Sequence, residues 1–168
     1  MRRTRLDQWP CSIARTVDLI GDGWTPMILR EAYYGVKRFD DFEANLGLGR
    51  NVLTQRLKRL VKEGVFEKVR YQKHPPRHEY VLTEKGRSLF PVLAVMMRWG
   101  DRWLSKGEGA PVELLDRESG ELLDAMVVDS GTREPIALGK VRTRLGPGFP
   151  KKLESWAMST GRYVPRKG

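Results

Sequence analysis

The chain has 168 residues, enough to bury the core of one ordinary domain and carry an appendage. Hydrophobic residues make up 40% and charged residues 31%, a soluble globular balance, and the net charge of +10 favours polyanions, nucleic acid before an anionic membrane surface. No apolar run approaches the ~20 residues that span a bilayer, the basic start MRRTRLDQWP has no apolar core behind it as a secretory signal needs, and one cysteine, Cys11, cannot close an internal disulfide. A cytoplasmic protein with no membrane partner is expected.

The charge is unevenly spread. Residues 50–77 hold nine Lys/Arg and two Glu, residues 108–134 hold two Arg and eight acids, and residues 140–168 hold eight Lys/Arg and one acid. A basic middle, an acidic patch and a basic tail follow one another. No internal repeat or low-complexity tract is visible.

From Cys11 to Ile20, Ile13, Val17 and Ile20 recur at helical spacing, and Gly21-Asp22-Gly23 ends the run. A second helix is expected over 24–34, with Pro26 tolerated in its first turn. A third covers Phe39 to Leu46, with Phe39, Phe42 and Leu46 on one face and acids near its N-terminus, where they suit the helix dipole. Gly47-Leu48-Gly49 reads as a tight turn. A phosphate-cradling loop is disfavoured, since no strand precedes it and no Lys-Ser/Thr pair follows.

Arg50 to Glu63 then reads as a recognition helix. Leu53, Leu57, Leu60 and Val61 face inward; Asn51, Gln55, Lys58, Arg59 and Lys62 fall on the other side, with Arg50 and Thr54 near the N-terminal end. An ordinary solvated face would mix its charges, whereas this one carries almost no acids. Asn and Gln, which bond adenine in two places, lie in the half of the helix that meets base edges. Gly64 caps the helix. Val65 to Gln72 and His78 to Leu82 alternate at strand period and form a hairpin. Its tip, Lys73-His74-Pro75-Pro76-Arg77, is stiffened by two prolines and carries three potential cations; Arg77 at such a tip suits a narrow minor groove. His74 and His78 lack a third ligand at metal spacing.

A long helix is expected from Thr83 to about Ser105, kinked by Pro91 and apolar on two sides, so that it needs both its own core and a second copy of the chain. A linker over 107–111 leads to short alternating runs separated by Ser-Gly pairs, a small β-rich extension, and then to a basic tail with a short helix around Leu153 to Met158.

These motifs together resemble one family. CSIARTVDLIGDGWTPMILREAYYGVKRFDDFEANL, then RNVLTQRLKRLVKEGVFEK, then PPRHEYVLTEKGRSLFPVLAVMMRWG, resemble the HxlR-type regulators of bacteria, winged-helix relatives of the MarR group. The resemblance covers about Cys11 to Trp103. It implies an α+β fold: a winged helix-turn-helix DNA-binding and dimerisation domain over 1–106, a degenerate ribbon-like extension without metal over 107–150, and a basic tail over 151–168. It implies a cytoplasmic homodimer on a pseudo-palindromic double-stranded DNA operator, with dimer contacts from the first and last helices of the domain; a repressor is expected where that operator overlaps a promoter. Carried over by position, Asn51, Thr54, Gln55 and Arg56 are recognition-helix residues and Arg77 is at the wing, while Arg56 points outward less squarely than Gln55 and suits a phosphate contact or an intramolecular bridge. Lys58, Arg59, Lys62, Lys73 and Arg77 would neutralise phosphates, and Arg50, Asn51, Thr54 and Gln55 would read bases.

In the extension, Asp, Ser and Thr stand where some relatives carry ligand cysteines, so no structural zinc is expected. Cys11 matches a position where some members sense oxidants or electrophiles, and Arg15 nearby favours a thiolate; a small buried apolar residue is the alternative. A small-molecule effector is expected near Trp24, Trp99 and Trp103. No cofactor and no catalytic constellation is legible. The competing reading is a winged-helix protein-interaction module whose basic face docks on an acidic partner.

Overall fold

The computed structural model describes residues 5–164. The chain divides into two compact units, one formed by Ile20–Ala125 and the other by the described parts of Met1–Leu19 and Met126–Gly168. In chain order the helices are α1 (Ser12–Ile20), α2 (Thr25–Tyr33), α3 (Phe39–Leu46), α4 (Arg50–Lys62), α5 (Glu84–Arg87), α6 (Phe90–Leu104) and α7 (Glu154–Ser159). Strands β1 (Phe66–Gln72) and β2 (Arg77–Leu82) lie between α4 and α5.

The core of the larger unit follows from the helical periodicities. Ile28 and Leu29 from α2, Phe42 from α3, Leu53, Leu57 and Leu60 from α4, and Val65 and Phe66 at the start of the hairpin are all no more than 1% exposed. Each such side chain contributes about 1.5–3 kcal/mol by leaving water. Leu48, between the two glycines of the turn, is also buried and fills the space between α3 and α4. Gly47 takes a left-handed conformation (φ +61°) that ends α3, and this is the one place in the turn where glycine's freedom is required.

A buried charge cross-links α2 to α3. The Glu31 carboxylate accepts from Arg30 at 2.5 Å on one oxygen and from the Asn45 amide at 2.9 Å on the other. Hydrogen bonds to both oxygens offset the cost of taking a carboxylate out of water.

The hairpin is antiparallel, in the register Phe66↔Leu82 through Arg70↔His78, with an irregularity before Gln72↔Arg77. The segment before α3 joins its outer edge: the Tyr80 amide donates to the Lys37 carbonyl at 2.7 Å and Arg38 bridges Glu79. Phe42, Phe66 and Tyr80 stack edge to face, at 6.3 and 6.4 Å between ring centroids, and lock the sheet to α3.

The long helix expected from Thr83 is two helices. Thr83 caps α5 by accepting from the Gly86 amide at 3.1 Å, the chain turns at Ser88–Leu89, and Pro91 falls in the first turn of α6. Proline has no N–H to give to a preceding turn, but in a first turn that donor is unpaired anyway. The proline therefore starts a helix here instead of kinking one.

Beyond α6 the described residues hold isolated bridges rather than continuous strands. Leu115 pairs with Leu122 and Val128 with Pro135. The two turns that close these pairs have one design, a local duplication that the sequence does not announce. Asp116 accepts from the amides of Glu118 and Ser119, and Asp129 from those of Gly131 and Thr132. In each turn the Asp amide also donates to a Glu carbonyl, Glu121 or Glu134. These amides, foremost those of Ser119 and of Thr132, hold both carboxyls below the usual aspartate range. The positive-φ position is Gly120 in one turn and Arg133 in the other.

Candidate nucleic-acid interface

Helix α4 presents two unlike faces. Leu53, Leu57 and Leu60 are buried, while Asn51, Gln55, Lys58 and Lys62 are exposed, and Thr54 and Arg59 are half-buried. Hydrogen-bonding side chains thus cluster in its first half and ammonium groups in its second, on the side away from the core.

The cations of this helix are not equivalent. The Arg50 guanidinium turns back to α3: it donates to Glu43 at 2.5 Å, lies 3.4 Å from Asp40, and sits 4.8 Å above the Phe39 ring. Arg56 points the other way, toward Asp22 at 3.3 Å. Its Nε is buried and out of line for a directed hydrogen bond, so this contact is an ion pair by proximity. Of the two roles expected for Arg56, the fold gives it the intramolecular bridge. Asp22 also accepts from the Thr25 hydroxyl at 2.6 Å and from the amides of Trp24 and Thr25, which starts α2. Burial of the Asp22 carboxyl works against its charge, but the Thr25 hydroxyl, the two amides and Arg56 outweigh it, and the net pKa is lowered.

The wing is built to be rigid at its tip. Arg70 donates to the carbonyls of Gln72 and Lys73, and the Gln72 amide group donates to the His74 carbonyl. The His74–Pro75 bond is cis. Lys73 and Arg77 are exposed at this tip. Arg38 supports the hairpin from behind, pairing with Glu79 at 3.3 Å and lying 4.8 Å above the Tyr71 ring. The His78 pKa is lowered, by desolvation and by the neighbouring charges of Lys68 and Arg70. Between α4 and β1 a cavity of about 310 Å³ is lined by Arg50, Thr54, Lys58, Lys68 and Tyr80. Lys68 therefore joins the basic surface of α4, a placement that strand alternation alone does not reveal.

One junction ties the helix to the wing. The Thr83 hydroxyl donates to the Gly64 carbonyl at 2.6 Å, the Thr83 amide to Val65, and Lys85 Nζ to the Glu63 carbonyl. Gly86 packs so closely on the Val65 carbonyl that an added Cβ would collide with it and come within 2.8 Å of Leu82. The Tyr33 hydroxyl donates to the Gly86 carbonyl at 2.8 Å. Read from sequence, these residues signal only a helix start.

Other expected sites lie elsewhere. Cys11 is exposed at the start of α1 rather than buried. Trp24, Trp99 and Trp103 are exposed, and an apolar cavity of about 240 Å³ lies between α2 and α6, walled by Met27, Tyr33, Phe90, Met96 and Met97. Among the described residues no helix is long and apolar enough to cross a membrane, and no three His, Cys, Asp or Glu side chains gather as a metal site.

The model of the HxlR-like helix-turn-helix family matches residues 19–108. The chain is 44% identical over 144 residues, 86% of this chain and 91% of the relative, to Rv3095 of Mycobacterium tuberculosis, an uncharacterised HTH-type transcriptional regulator. Among solved structures, PA1607, described as a candidate transcription factor, is 37% identical with a TM-score of 0.78 over 85% of this chain and all of that one. HypR, a redox regulator solved in its reduced form, is 31% identical with a TM-score of 0.53 over 57% of this chain and 98% of that one. With its two-faced α4, pinned wing and these relatives, the chain belongs to the HxlR-like helix-turn-helix family of DNA-binding transcriptional regulators, not to a class of enzymes.

Proposed function

We propose that the chain works as a homodimer that binds a pseudo-palindromic operator and represses transcription where that operator overlaps a promoter. The observation that carries this reading is the face of α4: Asn51 and Gln55 stand exposed at one level and Lys58 and Lys62 at the next, with no carboxylate among them. Two such helices about 34 Å apart would enter successive major grooves. Asn51, Thr54 and Gln55 read base edges, and Arg50 joins them only by leaving Glu43. Lys58, Arg59, Lys62, Lys73 and Arg77 neutralise phosphates, with Lys68 beside them, and Arg56 acts indirectly by holding α4 to Asp22. The apolar residues left exposed on α1, Ile13 and Val17, and on α6, Met96, Trp99, Trp103 and Leu104, support a second copy as the partner. The domain boundaries we assign are 1–106 for the reading and dimerisation domain, 107–150 for the extension and 151–168 for the tail.

In-vitro selection of bound duplexes tests all of this together. A recovered inverted repeat with half-sites one helical turn apart is expected; an absence of enrichment with no binding at low salt would favour instead the docking of the basic face on an acidic protein. Two further readings concern control. Exposure of Cys11, with HypR a redox regulator, supports modification of this thiol as a switch; alkylation that leaves operator affinity unchanged would refute it. An apolar effector would occupy the α2–α6 cavity, and titration of small aromatic compounds against operator binding checks that.

A further inference from the structure

We infer that residues 140–144, with Arg162 beside them, form a second nucleic-acid contact that grips duplex phosphates without reading sequence. This rests on the DNA-binding reading above. Residues 135–164 contain six cations, Lys140, Arg142, Arg144, Lys151, Lys152 and Arg162, and a single acid, Glu154. All six are exposed, and none pairs with a carboxylate among the described residues. Six arginines elsewhere, Arg5, Arg30, Arg38, Arg50, Arg56 and Arg98, have an acidic partner, and what sets residues 135–164 apart is that six cations share one acid. An ordinary solvated face mixes its signs. Unneutralised charge of one sign on an ordered segment is the footprint of a polyanion.

The geometry arranges this charge in a line. The 3-10 turn at Leu138–Lys140 releases the chain into an extended course at Val141 (φ −101°, ψ 133°). Two-residue alternation then places Arg142 and Arg144 on the same side, about 6.6 Å apart along the chain. The segment is fastened: the Thr143 hydroxyl donates to the Arg162 carbonyl at 2.8 Å, the Val164 amide donates to the Thr143 carbonyl at 2.8 Å, and Arg144 bridges Val164 in parallel. Phe149 against Tyr163, at 6.4 Å, and the buried Ala157 of α7 hold the surrounding fold. Closely spaced cations on a fastened backbone suit the linear phosphate array of a duplex. It fits an anionic bilayer less well, because α7 has six residues and supplies no amphipathic helix to lie in the interface. The reading surface also has less spare positive charge than its composition suggests, since Arg50 and Arg56 are committed to acids.

The test uses the full chain and its K140Q/R142Q/R144Q variant, with binding to a random-sequence duplex and to a selected operator followed from 50 to 200 mM salt. Loss of three phosphate contacts makes the salt slope shallower by up to about 2.7, so the wild type should lose roughly 40-fold more affinity across that range than the variant. Base preference should not change, and R142K/R144K should keep the wild-type slope. An unchanged slope in a variant that melts like the wild type overturns the inference; if the triple variant does not fold, R142Q alone should still lower the slope by about 0.9. Loss of binding to phosphatidylserine vesicles with an unchanged DNA slope overturns it too, and assigns the surface to lipid. Failure of the reading surface is distinguishable: Gln55→Ala alters base preference and leaves the slope intact.

Discussion

Helices α4 and α6 carry similar amphipathic patterns, yet the chain completes only one of them. The leucines of α4 are buried on the side that packs on α3 and the hairpin, so its opposite face is free to be polar and to meet a ligand. On α6 only Ala94 is buried, while Trp99 and Trp103 are 59% and 63% exposed. A helix whose apolar side is satisfied inside the chain presents chemistry outward. A helix whose apolar side is left open presents surface for assembly. The contrast separates what holds one copy together from what the proposed dimer requires.

The largest effect should come from Leu57→Ala, which opens a cavity under α4 and should cost about 2–5 kcal/mol in chemical denaturation. The matching change on α6, Trp99→Ala with Trp103→Ala, should leave the monomer's melting nearly unchanged but weaken self-association about 30-fold or more in sedimentation equilibrium, as central aromatic contacts do. If the double variant unfolds the monomer instead, the contrast between the two helices is wrong. Gly86→Ala should destabilise by about 1–3 kcal/mol, toward the upper end because the obstacle is the Val65 backbone, and should blur DNA binding along with it. Gln55→Ala should leave stability alone and cost about 1–3 kcal/mol on the selected operator, relaxing one base position.

The smallest effect is a pH dependence. The Asp22 pKa is depressed in the folded chain, so its contribution is fully present above the unfolded value of about 3.9 and fades as pH falls through the lower folded value. Asp22→Asn should therefore reduce stability at pH 7 and flatten the acid limb of the stability curve below pH 4. An unaltered acid limb would mean that α4 is held beside Asp22 by packing alone, without the Arg56 ion pair.

Much of the reading surface was legible in the residues. The period of Leu53, Leu57 and Leu60 defines the inner face of α4, and by subtraction the outer one; the glycines around Leu48 mark the turn; the alternation after Gly64 marks the wing. These are local signals, since side-chain direction within one helix or strand follows from backbone geometry alone. The extension was harder to read. Its two Asp turns share hydrogen bonds more than letters, with Ser-Gly in one and Thr-Arg in the other, so their likeness appears only once the amides are placed.

By itself the sequence determined the helix-turn-helix, the hairpin, the separation of charge and the family. The tertiary structure decided which cations remain available. Arg50 and Arg56 look alike in the chain, but one folds back on Glu43 and the other reaches Asp22, a residue far off in sequence. It also decided that Thr83-Glu84-Lys85-Gly86 is a clamp on the end of α4 as well as a helix start, because the contacts of Gly86 with Val65 and Tyr33 exist only after distant segments meet. Periodicity fixes the direction of a side chain; the partner at the end of that direction belongs to the fold.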